Sequence, residues 1–443
     1  MKDDIRIAWI LARGSERREW WRISLTLLGA LTATGFALAA ATIAAVQGQV
    51  SIPYAHGLFD QPGQRAGVVF ALVLLLAPVL GFLGQCSRVG AVHRHRRMAG
   101  MRLAGATPAQ VRRIAAAESA FVCLAGSMAG FAAFAVLLAV AGHTPPPVAW
   151  AGFVVVVLAV PVVAALVSVF ALRHVVASPL DHVRRTGPDR GRRAALASLL
   201  AVGLFAAAAL LHLSSAGRGV KPFVLLVLGL VLLTGAGAIW VTGAFAAFMG
   251  RRLTLRAKSP AVLIAASRLA HDPWAAARTH AALLLVTVVG VGFVGVRGVL
   301  LEALGEVGYQ PRNLAFYTTG IDLAGAAVLV ALAISLCGLA VGTAESLATR
   351  RRGLAAQAAA GVPHGVLARA ALLETALPLA PALLLAGTGG TVVYLSYAML
   401  VGGPVPLLPL LVPVAVYAAC LLAAATSLPL LRRVSHPAEL RFT

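Results

Sequence analysis

The sequence predicts an all-α, polytopic membrane protein with about ten transmembrane helices. The chain has 443 residues, of which 60% are hydrophobic and only 12% are charged, and its mean hydropathy is +0.89. Soluble domains carry about 25% charged residues, roughly twice this fraction. Apolar runs of about 20 residues recur along the whole chain, and each is long enough to cross the hydrocarbon layer as a helix.

The predicted elements alternate between apolar spans and short polar connections. The spans cover residues 22–46, 66–87, 118–141, 148–172, 194–213, 223–249, 281–300, 321–343, 373–399 and 407–431. Amphipathic helices over residues 3–20 and 259–274 precede the first and seventh spans, and we expect them to lie on the inner membrane surface. The arrangement is therefore four spans, a two-span insert and four spans again.

The distribution of charge predicts that both termini are cytoplasmic. The formal net charge is +22, from 37 Lys and Arg against 15 Asp and Glu. Most of the basic residues fall in segments that are inside when the N-terminus is inside, as the positive-inside rule requires. Because topology accounts for the charge, nucleic acid is not an expected partner, and attraction to anionic membrane lipid is a secondary effect.

One polar segment between spans two and three, residues 94–118, recurs between spans eight and nine as residues 350–374. The copies lie 256 positions apart and share Arg94 with Arg350, Arg96 with Arg352, Gly105 with Gly361, Arg113 with Arg369, and Glu118 with Glu374. These matches predict two repeats, residues 1–186 and 257–443, around the insert 187–256. Since the insert has an even number of spans, both repeats enter the bilayer in the same orientation.

The first copy predicts a helix that ends, turns and restarts. Gly105 suits a helix end, because glycine accepts the left-handed conformation that such ends need. Thr107 would then cap a new helix, with Pro108 as its first residue and Gln110 as the reciprocal partner in a capping box.

The second copy keeps Gly361 and a proline, Pro363, but has Val362 before the proline where the first copy has threonine. We expect this helix start to be less stable by about 1 kcal/mol, the usual contribution of a cap. An ordinary inner loop with topogenic arginines would explain either copy alone. The duplication favours a rigid element bound by a cytoplasmic partner, with a firm contact at 94–118 and a looser one at 350–374.

The basic lead-in, the run from Leu103 to Arg113, and Glu118 at the head of a span together resemble the FtsX-like permease family. Members of this family are membrane subunits of ABC transporters of the mechanotransmission type. The ten-span, single-chain arrangement is most similar to bacitracin-resistance-type permeases. The resemblance covers both halves, leaves the two-span insert unmatched, and implies a multi-pass protein of the bacterial cytoplasmic membrane.

The resemblance also implies that both polar segments dock on a cytoplasmic dimer of ABC ATPase subunits. ATP and Mg would be bound there, and this chain would hold no cofactor. Closure of the ATPase dimer would then be passed up the attached spans. The residues expected to take part are Arg94, Arg96, Arg97, Arg102, Gly105, Thr107, Pro108, Arg113, Glu118, Arg350, Arg351, Arg352, Gly361, Pro363, Arg369 and Glu374.

Two features depart from the family pattern. The family usually carries an acidic residue in the basic lead-in, where this chain has Ala99 and Ala355. It also usually places a large extracellular domain between the first two spans of a repeat, whereas the loops here, 47–65 and 301–320, are short. Any substrate would therefore be met within the bilayer or by a separate protein.

Missing motifs exclude several other functions. The sequence has no Gly-rich phosphate loop followed by Lys and Ser or Thr, so we expect ATP hydrolysis in a partner and no enzyme activity here. No carboxylate falls near the centre of a span, which argues against an ion-coupled carrier. His93 and His95 lie among arginines that would oppose a bound cation, so no metal site is expected.

Two groups of charged residues keep alternative interpretations. A possible outer-face contact consists of Glu302, Glu306, Tyr309 and Arg312, although a solvated loop face explains these residues as well. For Glu118 and Glu374, pairing with the nearby Arg113 and Arg369 is the simplest interpretation, and a gating role is the alternative.

The sequence thus predicts the permease subunit of an ABC transporter. The transporter would export an amphiphilic compound, such as an antimicrobial peptide or a lipid, or extract it from the membrane. A non-transporting regulator of another membrane or cell-wall protein is the alternative. An ion-coupled secondary transporter is a third, less favoured class.

Overall fold

A computed structural model describes much of the chain. The described residues are 6, 17–50, 59–60, 62–86, 100–101, 103–142, 144–177, 220–306, 311–403 and 405–435. Within these ranges the chain forms helices joined by turns and short loops, with no β-strand. The predicted all-α class is therefore confirmed for the described part of the chain.

The chain divides into two compact units. The first contains residues 1–185 and 315–345, and the second contains residues 186–314 and 346–443. The described helices of the first unit are α1 (Arg17–Ala44), α2 (Pro62–Cys86), α3 (Pro108–Val140) and α4 (Pro147–Ala177).

The second unit contains most of the remaining helices. They are α5 (Val220–Arg256), α6 (Pro260–His271), α7 (Pro273–Glu306), α9 (Arg351–Ala359), α10 (His364–Val401), a 3-10 helix (Leu408–Leu411), α11 (Val412–Ala425) and α12 (Leu428–Val434). Helix α8 (Pro311–Thr349) is divided between the units, because its residues 315–345 group with the first.

Seven of the described helical stretches are long and apolar enough to cross a membrane, and a shorter apolar stretch covers Pro147–Val163. This is a multi-pass membrane protein. The predicted fifth span, residues 194–213, lies outside the described residues, as does most of the predicted helix over 3–20. The ten-span arrangement, the repeat boundaries and the cytoplasmic termini stay predictions.

Small residues allow close helix packing in the first unit. A Cβ atom at Gly126 would meet the backbone of Leu27, and one at Gly130 would meet the backbone of Leu31, so α3 lies tightly against α1. Between these glycines, the buried Thr34 hydroxyl donates a hydrogen bond to Ser127 Oγ over 3.1 Å. In a membrane, where lipid is as apolar as leucine, close packing and such hydrogen bonds hold helices together.

The second unit uses the same device around large aromatic side chains. Tyr394 of α10 is buried and packs against Gly295 of α7, and its hydroxyl donates to the Pro406 carbonyl over 3.3 Å. Trp274 packs in the same way against Gly243 of α5. Helices α5, α7 and α10 therefore form the packed centre of this unit.

The close contact at Gly295 leads to a prediction. Gly295→Ala should lower the free energy of unfolding by about 1–3 kcal/mol, because the added methyl group would overlap the Tyr394 ring and force the helices apart. Gly305→Ala, near the end of the same helix and with open space around it, is the matched control. Thermal unfolding of the detergent-solubilised protein measures both, and equal midpoints for the two variants would contradict the packing argument.

Candidate functional site

The first polar segment, residues 94–118, is here called the first coupling segment, after the coupling role that the family resemblance implies for it. Its described part contains a helical turn that ends at Gly105, whose φ is +94°. The N–H of Ala106 donates to the Met101 carbonyl over 3.0 Å, and the N–H of Ala104 donates to the Gly100 carbonyl over 2.9 Å. This is the usual closure of a helix on a left-handed glycine. The predicted helix end at Gly105 is confirmed.

The chain then restarts as α3 through a capped first turn. Thr107 is the N-cap, and its hydroxyl accepts a hydrogen bond from the Gln110 N–H over 3.3 Å. The Gln110 side-chain oxygen accepts in return from the Thr107 N–H over 2.7 Å. Pro108 is the first helical residue. The predicted capping box is therefore confirmed.

The second coupling segment, residues 350–374, repeats this backbone geometry. Gly361 has φ of +88° and follows the short helix α9. The N–H of Val362 donates to the Gln357 carbonyl over 3.0 Å, and the N–H of Ala360 donates to the Ala356 carbonyl over 2.9 Å. Each of these four residues lies 256 positions after its counterpart in the first turn. The duplication seen in the sequence is thus also a duplication of hydrogen bonds.

The start of α10 differs from that of α3 in its cap. The N-cap position is Pro363, and no side chain caps this helix end. The absence of a side-chain cap agrees with the prediction. The N-cap residue does not, because the sequence comparison places Val362, not Pro363, in the position of the threonine. Val362 instead belongs to the preceding helix closure, since its N–H completes the turn at Gly361.

Apolar packing holds the second turn in place of a cap. A cluster of buried side chains lies beneath it, here called the Leu354 cluster: Leu347, Leu354, Leu367, Leu431 and Val434. Val362 packs against this cluster, and so does Ile264 of α6. Helix α12 and the end of α8 therefore support α9. Packing thus holds the second turn, where side-chain hydrogen bonds hold the first.

An ion cluster fixes the upstream end of α9. Arg350 lies at the break between α8 and α9, and its Nη1 donates to both carboxylate oxygens of Glu374, over 3.1 and 2.8 Å. The Nε of Arg268 in α6 lies 3.5 Å from the same carboxylate. These three residues are called the Glu374 cluster. The side chains of Arg350 and Glu374 are only 16% and 19% exposed, so water screens their attraction weakly.

The remaining donors of Arg350 turn back to α8. Nε donates to the Ser346 carbonyl over 2.8 Å, and Nη2 donates to the Ser346 hydroxyl over 2.7 Å. Two guanidinium groups thus share one carboxylate. Burial and the nearby Arg350 charge lower the pKa of Arg268, and the Glu374 carboxylate opposes that shift. Glu374 keeps the two like charges together.

Pairing of Glu374 with Arg369, the simplest expectation from the sequence, is wrong. Arg369 is exposed, and Glu374 pairs with Arg350 and Arg268 instead. The reason is geometric, since residues five apart on a helix point about 140° away from each other. Arg350 therefore has a partner within the chain.

The surface of the two segments is uneven. Leu103 at the first turn is 90% exposed, among the most exposed large apolar side chains of the described residues. Its counterpart in the second segment is Ala359. Arg113, Arg352 and Arg369 are exposed, and Arg351 is half-buried. The predicted residues that lie outside the described ranges are Arg94, Arg96, Arg97 and Arg102.

The predicted outer-face group is dispersed over two helices. Glu302 is exposed in the last turns of α7, Glu306 ends that helix, and Arg312 lies at the start of α8. Tyr309 lies outside the described residues. No hydrogen bond or ion pair of Glu302 joins it to another described residue, so a site at this position stays a prediction. No group of three metal-ligating side chains is found among the described residues either.

These observations define a class of membrane protein. In this class, two long helices each begin just after a turn that ends at a left-handed glycine. Residues 67–180 match the family model described as FtsX-like permease C-terminal. The match confirms the predicted resemblance for these residues, which are similar to the C-terminal domain of FtsX-like permeases. The matched range contains α3 and the described part of the first coupling segment. No protein of curated function matches the chain.

Sequence reasoning missed Arg268, Ser346 and Leu103. The first two contribute to the Glu374 cluster, but the repeat offered no signal, because Ala12 and Gly90 stand 256 positions earlier. Leu103 belongs to the run that resembles the family, yet its exposure is a property of the folded chain that the sequence does not show.

The left-handed glycines lead to a second prediction. Gly105→Ala and Gly361→Ala should each lower the free energy of unfolding by about 1 kcal/mol, because a Cβ atom is disfavoured in that conformation. Gly353→Ala, inside α9 with open space around it, should be neutral or stabilising, since alanine is the better helix former. Thermal unfolding in detergent compares the three, and a destabilised Gly353→Ala would contradict this assignment.

The repeat predicts a partner for Glu118, which is buried with 2% exposure. Glu118 and Arg94 occupy the positions of Glu374 and Arg350, so we expect an equivalent ion pair. A double-mutant cycle with Arg94→Gln and Glu118→Gln should give a coupling of about 1–3 kcal/mol in unfolding free energy. Arg112→Gln, exposed on the same helix as Glu118, is the matched control, and additive effects of the Arg94 and Glu118 changes would refute the pairing.

Proposed function

We propose that this chain is the membrane subunit of an ABC transporter and that its two coupling segments dock on a dimer of separate ATP-binding subunits. The FtsX-like permease family consists of such subunits, which generally pair with cytoplasmic ATPases. The observation that carries the proposal is the duplicated turn, because two like turns 256 positions apart suit two like partners. ATP and Mg would be bound by the partner.

The first coupling segment offers a specific contact. Leu103 stands almost fully exposed on a turn whose backbone is fixed by Gly105 and by the Thr107 cap. A large apolar side chain on a rigid turn loses little conformational entropy when it enters a pocket, which is the usual character of a binding hot spot. Exposed basic residues of α3, Arg112 and Arg113, add charge beside it.

The second coupling segment would dock differently. Its tip carries Ala359 and the exposed Arg352 and Arg369, so polar and charged contacts would replace an apolar anchor. This difference is a second argument for the expected firm contact of residues 94–118, and looser contact of residues 350–374, with the ATP-binding subunits. The difference lies in what each tip presents, as well as in how its helix is capped.

For the transported compound, we propose an amphiphilic molecule such as an antimicrobial peptide or a lipid, exported or extracted from the bacterial cytoplasmic membrane. This part of the proposal rests on the family resemblance. The connections predicted at 47–65 and 301–320 are short in sequence, and residues 301–306 and 311–320 are helical in the structure. These short connections support substrate entry from the bilayer, because they leave little protein outside to capture a soluble compound.

Leu103→Asp tests the docking. We expect the amount of ATP-binding subunit that co-purifies with the detergent-solubilised protein to fall by at least about tenfold, because a buried carboxylate would replace the apolar anchor, and tenfold corresponds to about 1.4 kcal/mol. The matched control is Leu255→Asp, since Leu255 is 86% exposed at the end of α5 among arginines.

Four outcomes would contradict the proposal or one of its parts. Wild-type protein that brings down no ATP-binding subunit would refute the ABC assignment, and uptake driven by a proton gradient without ATP would favour a carrier. Equal loss of the ATP-binding subunit in Leu103→Asp and Leu255→Asp would refute the role of Leu103. Binding of the ATPase without ATP-dependent movement of any compound would favour a regulator.

A further inference from the structure

The Glu374 cluster connects four helices at one point. Arg350 is the only residue between α8 and α9, and its guanidinium bonds to Ser346 on one side and to Glu374 of α10 on the other. Arg268 brings α6 to the same carboxylate. Because Nη1 bonds to Glu374 while Nε and Nη2 bond to Ser346, the planar guanidinium fixes the orientation of this contact as well as its distance. The start of α9 is therefore tied to α6, α8 and α10 together.

Helix α10 is weakened directly above this point. Pro378 and Pro381 lie inside the helix, one and two turns beyond Glu374. Proline has no N–H, so Pro378 leaves the carbonyl of Glu374 without its helical donor, and Pro381 does the same for Leu377. The Tyr417 hydroxyl of α11 donates to the Ala376 carbonyl in this stretch over 3.4 Å. Bending of α10 is easiest here, because helix kinks concentrate at proline.

The base of α10 and α9 thus form one body. The Glu374 cluster joins them at the upstream end of α9, and the Leu354 cluster joins them through Leu354 of α9 and Leu367 of α10. Arg350 and Glu374 are also too buried to reach a docked partner as free charges. Their buried positions suit the transmission of movement better than direct contact with the ATP-binding subunit.

We propose that Arg268, Arg350 and Glu374 are positioning residues that transmit movement of α9 to the base of α10 and to α6. This proposal rests on the function proposed above, in which an ATP-binding subunit moves the second coupling segment. The ion cluster keeps the moving body intact, and the proline stretch above it lets that body tilt against the rest of α10. The exposed Arg352 and Arg369 remain the contact residues.

Glu374→Gln tests the transmission, since it removes the charge and nearly keeps the shape. The readout is hydrogen exchange in peptides covering 351–359 and 364–377, before and after the bound ATP-binding subunit is trapped with ATP and vanadate. In wild-type protein, trapping should change exchange in both peptides. In the variant, we expect the trapping-induced change at 364–377 to fall by about tenfold, within the usual range of coupling between linked sites, while the change at 351–359 persists.

Two further variants make the result specific. Arg256→Gln, which removes an exposed arginine from the end of α5, should behave as wild type. Arg350→Lys keeps the charge but loses the planar group that bonds Glu374 and Ser346 at the same time, and it replaces Glu374→Gln if that variant does not fold. For this lysine variant, we expect about a threefold smaller trapping-induced change at 364–377.

The outcomes separate this inference from the proposed function. Retained ATPase binding with a full trapping-induced change at 364–377, in either variant, would overturn the transmission role. Loss of ATPase binding in Glu374→Gln would overturn it as well, because the cluster would then act in docking. Wild-type protein that binds no ATP-binding subunit would instead defeat the proposed function.

Discussion

The carboxylate of Glu374 between two guanidinium groups sets the geometry of the second coupling segment. Taking charges out of water is costly, and the cost is recovered only while each charge keeps its partner. A planar guanidinium that bonds Glu374 through Nη1 and Ser346 through Nε and Nη2 has few alternatives, so the break at Arg350 and the start of α9 have a single arrangement. The turn at Gly361 and the packing of Val362 on the Leu354 cluster depend on that arrangement, because α9 connects Arg350 to both of them.

The two coupling segments share a backbone and differ in what stabilises it. In the first, side-chain hydrogen bonds of Thr107 and Gln110 close the helix start, and a small cluster around Val111 lies beneath it. In the second, the cap is absent, and a larger apolar cluster with the Glu374 cluster takes over. A left-handed glycine fixes only one residue of the chain. The neighbouring contacts can therefore diverge while the turn itself is kept.

Local features could be predicted from the sequence, and tertiary partners could not. The helix end at Gly105, the Thr107 cap and the apolar spans follow from neighbours within a few residues, so they could be read directly. The partner of Glu374 depends on how α6 and the end of α8 reach α10, and sequence distance suggested Arg369 wrongly. The exposure of Leu103 is likewise a property of the folded surface, which periodicity does not report.

Carrying both coupling segments on one chain has a consequence for symmetry. Two copies of one subunit must present identical surfaces, because each residue change appears in both. Here Leu103 stands at one tip and Ala359 at the other, a difference that such a pair could not hold. Under the proposed function, two identical ATP-binding subunits would meet unlike surfaces and become inequivalent. Their two nucleotide sites could then hydrolyse ATP in a fixed order, and the membrane subunit would determine which site acts first.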